Sequence, residues 1–148
     1  MRNILITGGT GNIGSRLVTD LLDDGNHVHF TSRSKESAQN AMKKNQWDPD
    51  QCKPVIVEFS NENALDSVLN QLEKLPDAII HNARSLDTLK MDENGVIDPE
   101  SFQMEFFNGV TFPYHITMSL VLESESLKDV LFIGSMYGNV APSPSLYE

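Results

Sequence analysis

Eight residues near the N-terminus, Thr7-Gly8-Gly9-Thr10-Gly11-Asn12-Ile13-Gly14, have the composition of an anion cradle built from backbone. Glycines allow the sharp turn and close approach that a pyrophosphate requires. A helix starting there aims free N–H groups at the negative charge. Glycine spacing alone also suits an ordinary tight βα turn, so the flanks decide. Ile4-Leu5-Ile6 precedes the loop, and Ile13, Leu17, Val18, Leu21 and Leu22 follow at helical spacing. A mononucleotide P-loop would carry Lys and then Ser or Thr after its last glycine, whereas Ser15-Arg16 follows Gly14 here. The loop is predicted to hold a dinucleotide.

The elements that must position this loop alternate in type along the chain. After Ile4–Ile6 and its helix, Gly25 is a helix stop and residues 28–31 read as strand two. Ser34 caps a polar helix towards Met42, and residues 45–53, with Pro49, read as a surface connection. Val55-Ile56-Val57 is strand three, followed by Ser60 as a cap and by Leu65, Val68, Leu69 and Leu72 at helical spacing. Ala78-Ile79-Ile80 is strand four and residues 130–133 are strand five. Between these, Asp98-Pro99-Glu100 opens a helix to about Leu122, kinked near residues 108–113 because Pro113 lacks the N–H that would bond the Gly109 carbonyl. Continuous apolar strands alternating with helices predict one doubly wound α/β domain over 1–148. Its five parallel strands are expected in order 3-2-1-4-5, with the ligand at their carboxyl ends.

In such a fold the end of strand two selects the cofactor: an acid binds the ribose hydroxyl of NAD, and an arginine accommodates the 2′-phosphate of NADP. The chain reads Thr31-Ser32-Arg33-Ser34, with Ser32 where the acid would stand. Arg33 can pair bidentately with phosphate while Ser32 and Ser34 donate beside it. A solvated arginine at a helix start is the plainer alternative. NADP is the expected cofactor, ahead of NAD.

Two glycine patterns are legible, Gly9-x-Gly11-x-x-Gly14 and Gly8-x-x-Gly11-x-x-Gly14. The second, preceded by Thr7, resembles the short-chain dehydrogenase/reductase family, particularly its extended and atypical branches. Glu58-Phe59 after strand three matches the family's acidic–apolar pair against adenine. His81-Asn82-Ala83-Arg84 resembles its Asn-Asn-Ala-Gly motif, with Arg84 in place of the glycine. Asn82 can act there structurally, by satisfying backbone groups between strands, as well as at the cofactor.

The resemblance implies that Ser135, in Ile133-Gly134-Ser135, hydrogen-bonds the substrate oxygen. Asn108 matches the asparagine that completes a proton relay, although it could equally serve only the helix kink. The family's tyrosine–lysine pair is not present after Ser135, since the last lysine is Lys128. Tyr137 is read as lining the cleft. The run 134–142 with Leu146-Tyr147-Glu148 is similar to a subgroup linked to polysaccharide and flagellin-glycan biosynthesis, in which the tyrosine near Tyr147 is not catalytic. The chain is therefore expected to be an N-terminal fragment of such a domain, lacking the later strands and inactive alone.

Composition sets the outer bounds. A net charge of −10 with no basic tract argues against nucleic acid, and no run approaches the roughly 20 apolar residues of a membrane span. Cys52 is the single cysteine, which excludes an internal disulfide and suits a reducing cytoplasm. His27, His29, His81 and His115 have no ligand spacing, so no metal is expected. Asp92-Glu93-Asn94-Gly95 is read as a turn. The helix over 99–122 carries Met104, Phe106, Phe107 and Phe112, for packing or for contact with a second subunit. Three functions fit: a reductase or dehydrogenase for a small carbonyl or alcohol, sugar-linked in one version; a nucleotide-sugar epimerase or dehydratase; and a non-catalytic dinucleotide sensor. A downstream Tyr-x-x-x-Lys separates the enzymes from the sensor.

Overall fold

In the computed structural model, described for residues 1–59, 63–85, 90–123, 125–135 and 138–140, five parallel strands form one sheet. They are β1 (Asn3–Ile6), β2 (His27–Ser32), β3 (Cys52–Ile56), β4 (Ala78–His81) and β5 (Asp129–Phe132). Their spatial order is β3-β2-β1-β4-β5, the predicted one. The register pairs Leu5 with His29 and Ile79, so β1 lies at the centre of the sheet.

Alternation along these strands divides the core in two. Ile4, Ile6, Val28, Phe30 and Ile80 face Val18 of α1 (Asn12–Asp23) and Ala38 of α2 (Lys35–Asn45). Leu5, Val55 and Ile79 face Val68 of α3 (Ala64–Leu69) and Ile116 and Leu120 of α5 (Phe112–Glu123). Both faces are covered over β1 and β4, which is why these two strands read as apolar runs, whereas β5, at the sheet edge, is exposed along its length. Burial of this kind makes truncation of Leu5 or Ile79 to Ala cost about 2–5 kcal/mol.

Two local expectations are corrected and a third takes a definite form. The stretch 45–53 is not merely a surface connection: Trp47 is buried, meets Phe30 edge-on at 5.1 Å, and donates through Nε1 to Thr19 Oγ1 at 2.9 Å. Strand three begins at Cys52, three residues earlier than expected, and tolerates Pro54 because β3 is an edge strand. The helix after Pro99 is interrupted where the kink was expected, by a change of pitch. Between α4 (Pro99–Phe106) and α5 lies a π-helical turn, Phe107–Thr111, in which the Phe112 N–H reaches back to the Phe107 carbonyl. The wider turn absorbs the donor that Pro113 lacks.

The caps follow chemistry. Ser34 Oγ accepts from the Ser37 N–H (3.1 Å), and Asp98 Oδ2 accepts from the Ser101 N–H (2.9 Å). Ser60, expected as a cap, lies outside the described residues. Asp92 closes its turn by accepting from the N–H groups of Asn94 (2.9 Å) and Val96 (2.8 Å), which lower its pKa. Among the described residues no helix is long and apolar enough to cross a membrane.

Candidate functional site

The β1–α1 loop sits at the carboxyl edge of the sheet, held from both sides. Thr31, at the end of β2, accepts the Gly8 N–H on its hydroxyl (2.8 Å) and the Gly9 N–H on its carbonyl (3.2 Å). Beyond β4, the Asn82 carboxamide donates to the carbonyls of Thr7 (3.1 Å) and Gly8 (3.2 Å). The Thr7 hydroxyl oxygen accepts the N–H groups of Asn82 and Ala83, both at 3.0 Å.

Close approach explains the glycines. Gly8 adopts φ +71°, and a Cβ there would lie 2.8 Å from the Ala83 Cα. A Cβ on Gly14 would strike the Gly8 carbonyl and come 2.8 Å from Asn82 Nδ2. Gly11 is the N-cap of α1 and no side chain caps it, so the first N–H groups of the helix remain for a ligand.

The loop opens on a cavity of about 500 Å³. Its walls include Gly8, Thr10, Gly11, Asn12, Ile13, Gly14, Ser32, Arg33, Glu58, Phe59, Asn82, Ala83 and Arg84, all expected from the sequence. A second cavity, of about 460 Å³, adjoins it and shares Ile13, Phe59, Asn82, Ala83, Arg84 and Asn108. Thr7 and Ser135 line this second space, so Asn108 and Ser135 face a common cleft.

Two expected residues stand apart. Gly9 does not line either cavity; it packs on Phe30, whose Cβ would lie 2.5 Å from an added Cβ. Ser34 is likewise absent from the walls, because its hydroxyl is committed to capping α2 and its carbonyl accepts from Ser32 Oγ (3.0 Å). Tyr137 and Tyr147 lie outside the described residues.

Several wall residues of the first cavity carried no sequence signal for a site: Thr31, Val57, Ser85 and Met104; His81, first residue of the motif after strand four, lines the second. Thr31 lies near the end of β2, and its bond to the Gly8 N–H, 23 residues away in sequence, is visible only in three dimensions. His81 is buried, stacks on Phe132 (4.6 Å), and shares a 2.9 Å hydrogen bond between Nε2 and Thr117 Oγ1. Its Nδ1 has no hydrogen-bond partner among the described residues, and burial pushes the imidazole down to about 4, so it is neutral at pH 7. Asn108 Oδ1 on the π-helical turn is also buried without a partner among the described residues. Arg84 Nε lies 3.7 Å from Glu105 Oε1 of α4.

Among the described residues no three His, Cys, Asp or Glu side chains converge as a metal site. Burial pushes the Cys52 thiol up to about 12, so it is not a nucleophile at neutral pH. What the arrangement offers is backbone donors and a guanidinium for a phosphorylated ligand. Beside them lies a pocket with a hydroxyl and an amide carbonyl.

Residues 4–148 match the family model described as the NAD dependent epimerase/dehydratase family. The chain belongs to the NAD dependent epimerase/dehydratase family. Within its reach, the chain is 30% identical over 84 residues to a ketoreductase of Aspergillus niger, an alignment covering 55% of this chain and 25% of that protein. In fold it is similar to a closed serine dehydrogenase complexed with NADP+, with TM-score 0.78 and 18% identity over 97% of this chain and 58% of the other. It is also similar to a short-chain dehydrogenase from Streptomyces avermitilis, with TM-score 0.75 and 17% identity over 95% of this chain and 52% of the other. The chain thus spans a quarter of the ketoreductase and little over half of each solved relative. The family's fold accounts for the strand order and for a site at the strand ends.

Proposed function

We propose that the chain is the cofactor-binding part of an NADP-dependent oxidoreductase acting on a small carbonyl or alcohol, sugar-linked in the narrower form of the reading. The observation that carries it is the cradle around Gly14, where an added Cβ would meet the Gly8 carbonyl and Asn82 beside a cavity of about 500 Å³. Residues that leave no room for a side chain while exposing helix N–H groups suit a pyrophosphate. Arg33, on the rim with no acid at the end of β2, suits the 2′-phosphate. The ketoreductase relative and the NADP+ carried by the serine dehydrogenase support the same reading.

When bound, the nicotinamide group supplies or accepts hydride. The chain's own residues bind and orient. The Gly8–Gly14 loop and the start of α1 hold phosphate, Glu58 and Phe59 wall the adenine end, and Asn82 keeps the loop rigid. Ser135 would hold a substrate oxygen in the adjoining cleft. The buried Asn108 Oδ1 would take a water there, giving a proton a path along the π-helical turn.

Family membership favours a second reading, a nucleotide-sugar epimerase or dehydratase. That chemistry returns the hydride to the substrate, so a substrate converted with no net change in NADPH absorbance would select it. The surroundings proposed are a reducing cytoplasm, in keeping with one buried cysteine, and a second copy of the chain against the helix 99–122. Fluorescence titration of NADPH and NADH, with wild type and Arg33→Ala, tests the cofactor assignment. Expected is tighter NADPH than NADH binding in wild type and about a tenfold loss for NADPH alone in the variant. Equal wild-type affinities would reject NADP.

A further inference from the structure

Arg84 stands where the family-like motif after strand four has a glycine, and it walls both the cavity at the glycine loop and the one holding Ser135. We infer that Arg84 recognises an anionic group of the substrate, a carboxylate or phosphate borne near the reacting carbon. The inference rests on the oxidoreductase reading for what the second cavity does, and it adds a substrate class.

Charge makes the position notable. In a chain of net charge −10, Arg33 and Arg84 are the cationic side chains among the described residues that line either cavity. Arg33 belongs to the first cavity alone. Arg84 is therefore the cation of the second, which excludes Gly8, Gly11 and Asn12 and so extends away from the pyrophosphate end of the loop. Its side chain is 59% exposed, while that of its partner Glu105 is 22% exposed.

The pairing leaves Arg84 capacity. The ion pair with Glu105 is loose, with Nε 3.7 Å from Oε1, beyond hydrogen-bond distance. The two terminal nitrogens make no hydrogen bond to the described residues, so a planar pair of donors remains for an oxyanion. Glu105 restrains the guanidinium at the junction of the clefts, and the backbone is fixed two residues upstream by the Asn82 bonds to Thr7 and Gly8. A carboxylate or phosphate placed there would gain charge-assisted bonds in a half-enclosed space, whereas a neutral carbonyl compound would gain none.

The test is an amide chemical-shift titration of the chain with glyceraldehyde 3-phosphate and with uncharged glyceraldehyde, in the presence and absence of NADP+. Expected for wild type is at least about fivefold tighter binding of the phosphorylated probe, with the ratio falling to about one in Arg84→Gln and partly kept in Arg84→Lys. A wild-type ratio of one, no binding of the phosphorylated probe, or an unchanged ratio in Arg84→Gln would overturn the inference. So would a large loss of NADP+ affinity in Arg84→Gln with the ratio intact, which would assign the arginine to the cofactor's pyrophosphate. Failure of wild type to bind NADP+ would instead reject the oxidoreductase reading, and the probe ratio without cofactor would still decide the role of Arg84.

Discussion

The Asn82 carboxamide donates to the carbonyl oxygen of Gly8 at 3.2 Å, tying the loop after β4 to the turn after β1. The same nitrogen donates to the Thr7 carbonyl, so one side chain satisfies two acceptors that the tight turn leaves without strand partners. Asn82→Ala is expected to cost about 1–3 kcal/mol of stability and to weaken NADPH binding roughly tenfold. Asn82→Asp should do the same, because a carboxylate cannot donate. Urea denaturation and fluorescence titration check both. Wild-type affinity in both variants would show that the loop holds its shape without this strut.

His81 gives the protein a pH dependence of definite sign. Its imidazole is neutral in the fold, held down to about 4 from an ordinary 6.5 by burial. The unfolded chain therefore binds the proton more readily than the folded one. His81's contribution is fully present above pH 6.5 and declines as pH falls from there towards about 4. His29 is depressed in the same direction, chiefly by burial, and adds to the slope. Urea midpoints should hold from about pH 7.5 to about 6.5 and fall from there to about pH 4.5, and His81→Asn should flatten the profile. A flat wild-type profile over that range would contradict the burial account.

What the sequence made legible follows from how local each signal is. The β1 run, the glycine loop and the α1 stripe are contiguous, so both the cradle and its position at a strand end could be read directly. Strand order followed from βαβ connectivity, which topology restricts strongly. Trp47 escaped because it is a single aromatic in a polar stretch, and its partners Phe30 and Thr19 are distant in sequence. Pro54 masked the start of β3, since its tolerance depends on that strand lying at the sheet edge. The π-helical turn just before Pro113 was legible only as a kink, because Pro113 marks the break in the hydrogen-bond ladder and not the pitch the backbone adopts there. Thr31 and His81 acquire their roles only through neighbours across the sheet.

One face of the α4–α5 helix remains apolar and exposed along its length. Phe102, Phe106, Val110, Tyr114 and Met118 recur every four residues, a stripe suited to self-packing about a two-fold axis. Phe106→Glu is expected to shift the protein from dimer to monomer in sedimentation velocity without loss of NADPH binding. A monomeric wild type would remove the second-copy proposal.

The central claim, that the β1–α1 loop is a dinucleotide cradle, is tested most directly at Gly14. Isothermal titration of NADPH into wild type and Gly14→Ala, with circular dichroism to verify the fold, isolates the missing Cβ. The account expects saturable binding by wild type and at least about a hundredfold loss in the variant, because the added methyl displaces the Gly8 carbonyl and Asn82. No binding by the folded wild type, or equal affinity in the two proteins, would contradict it.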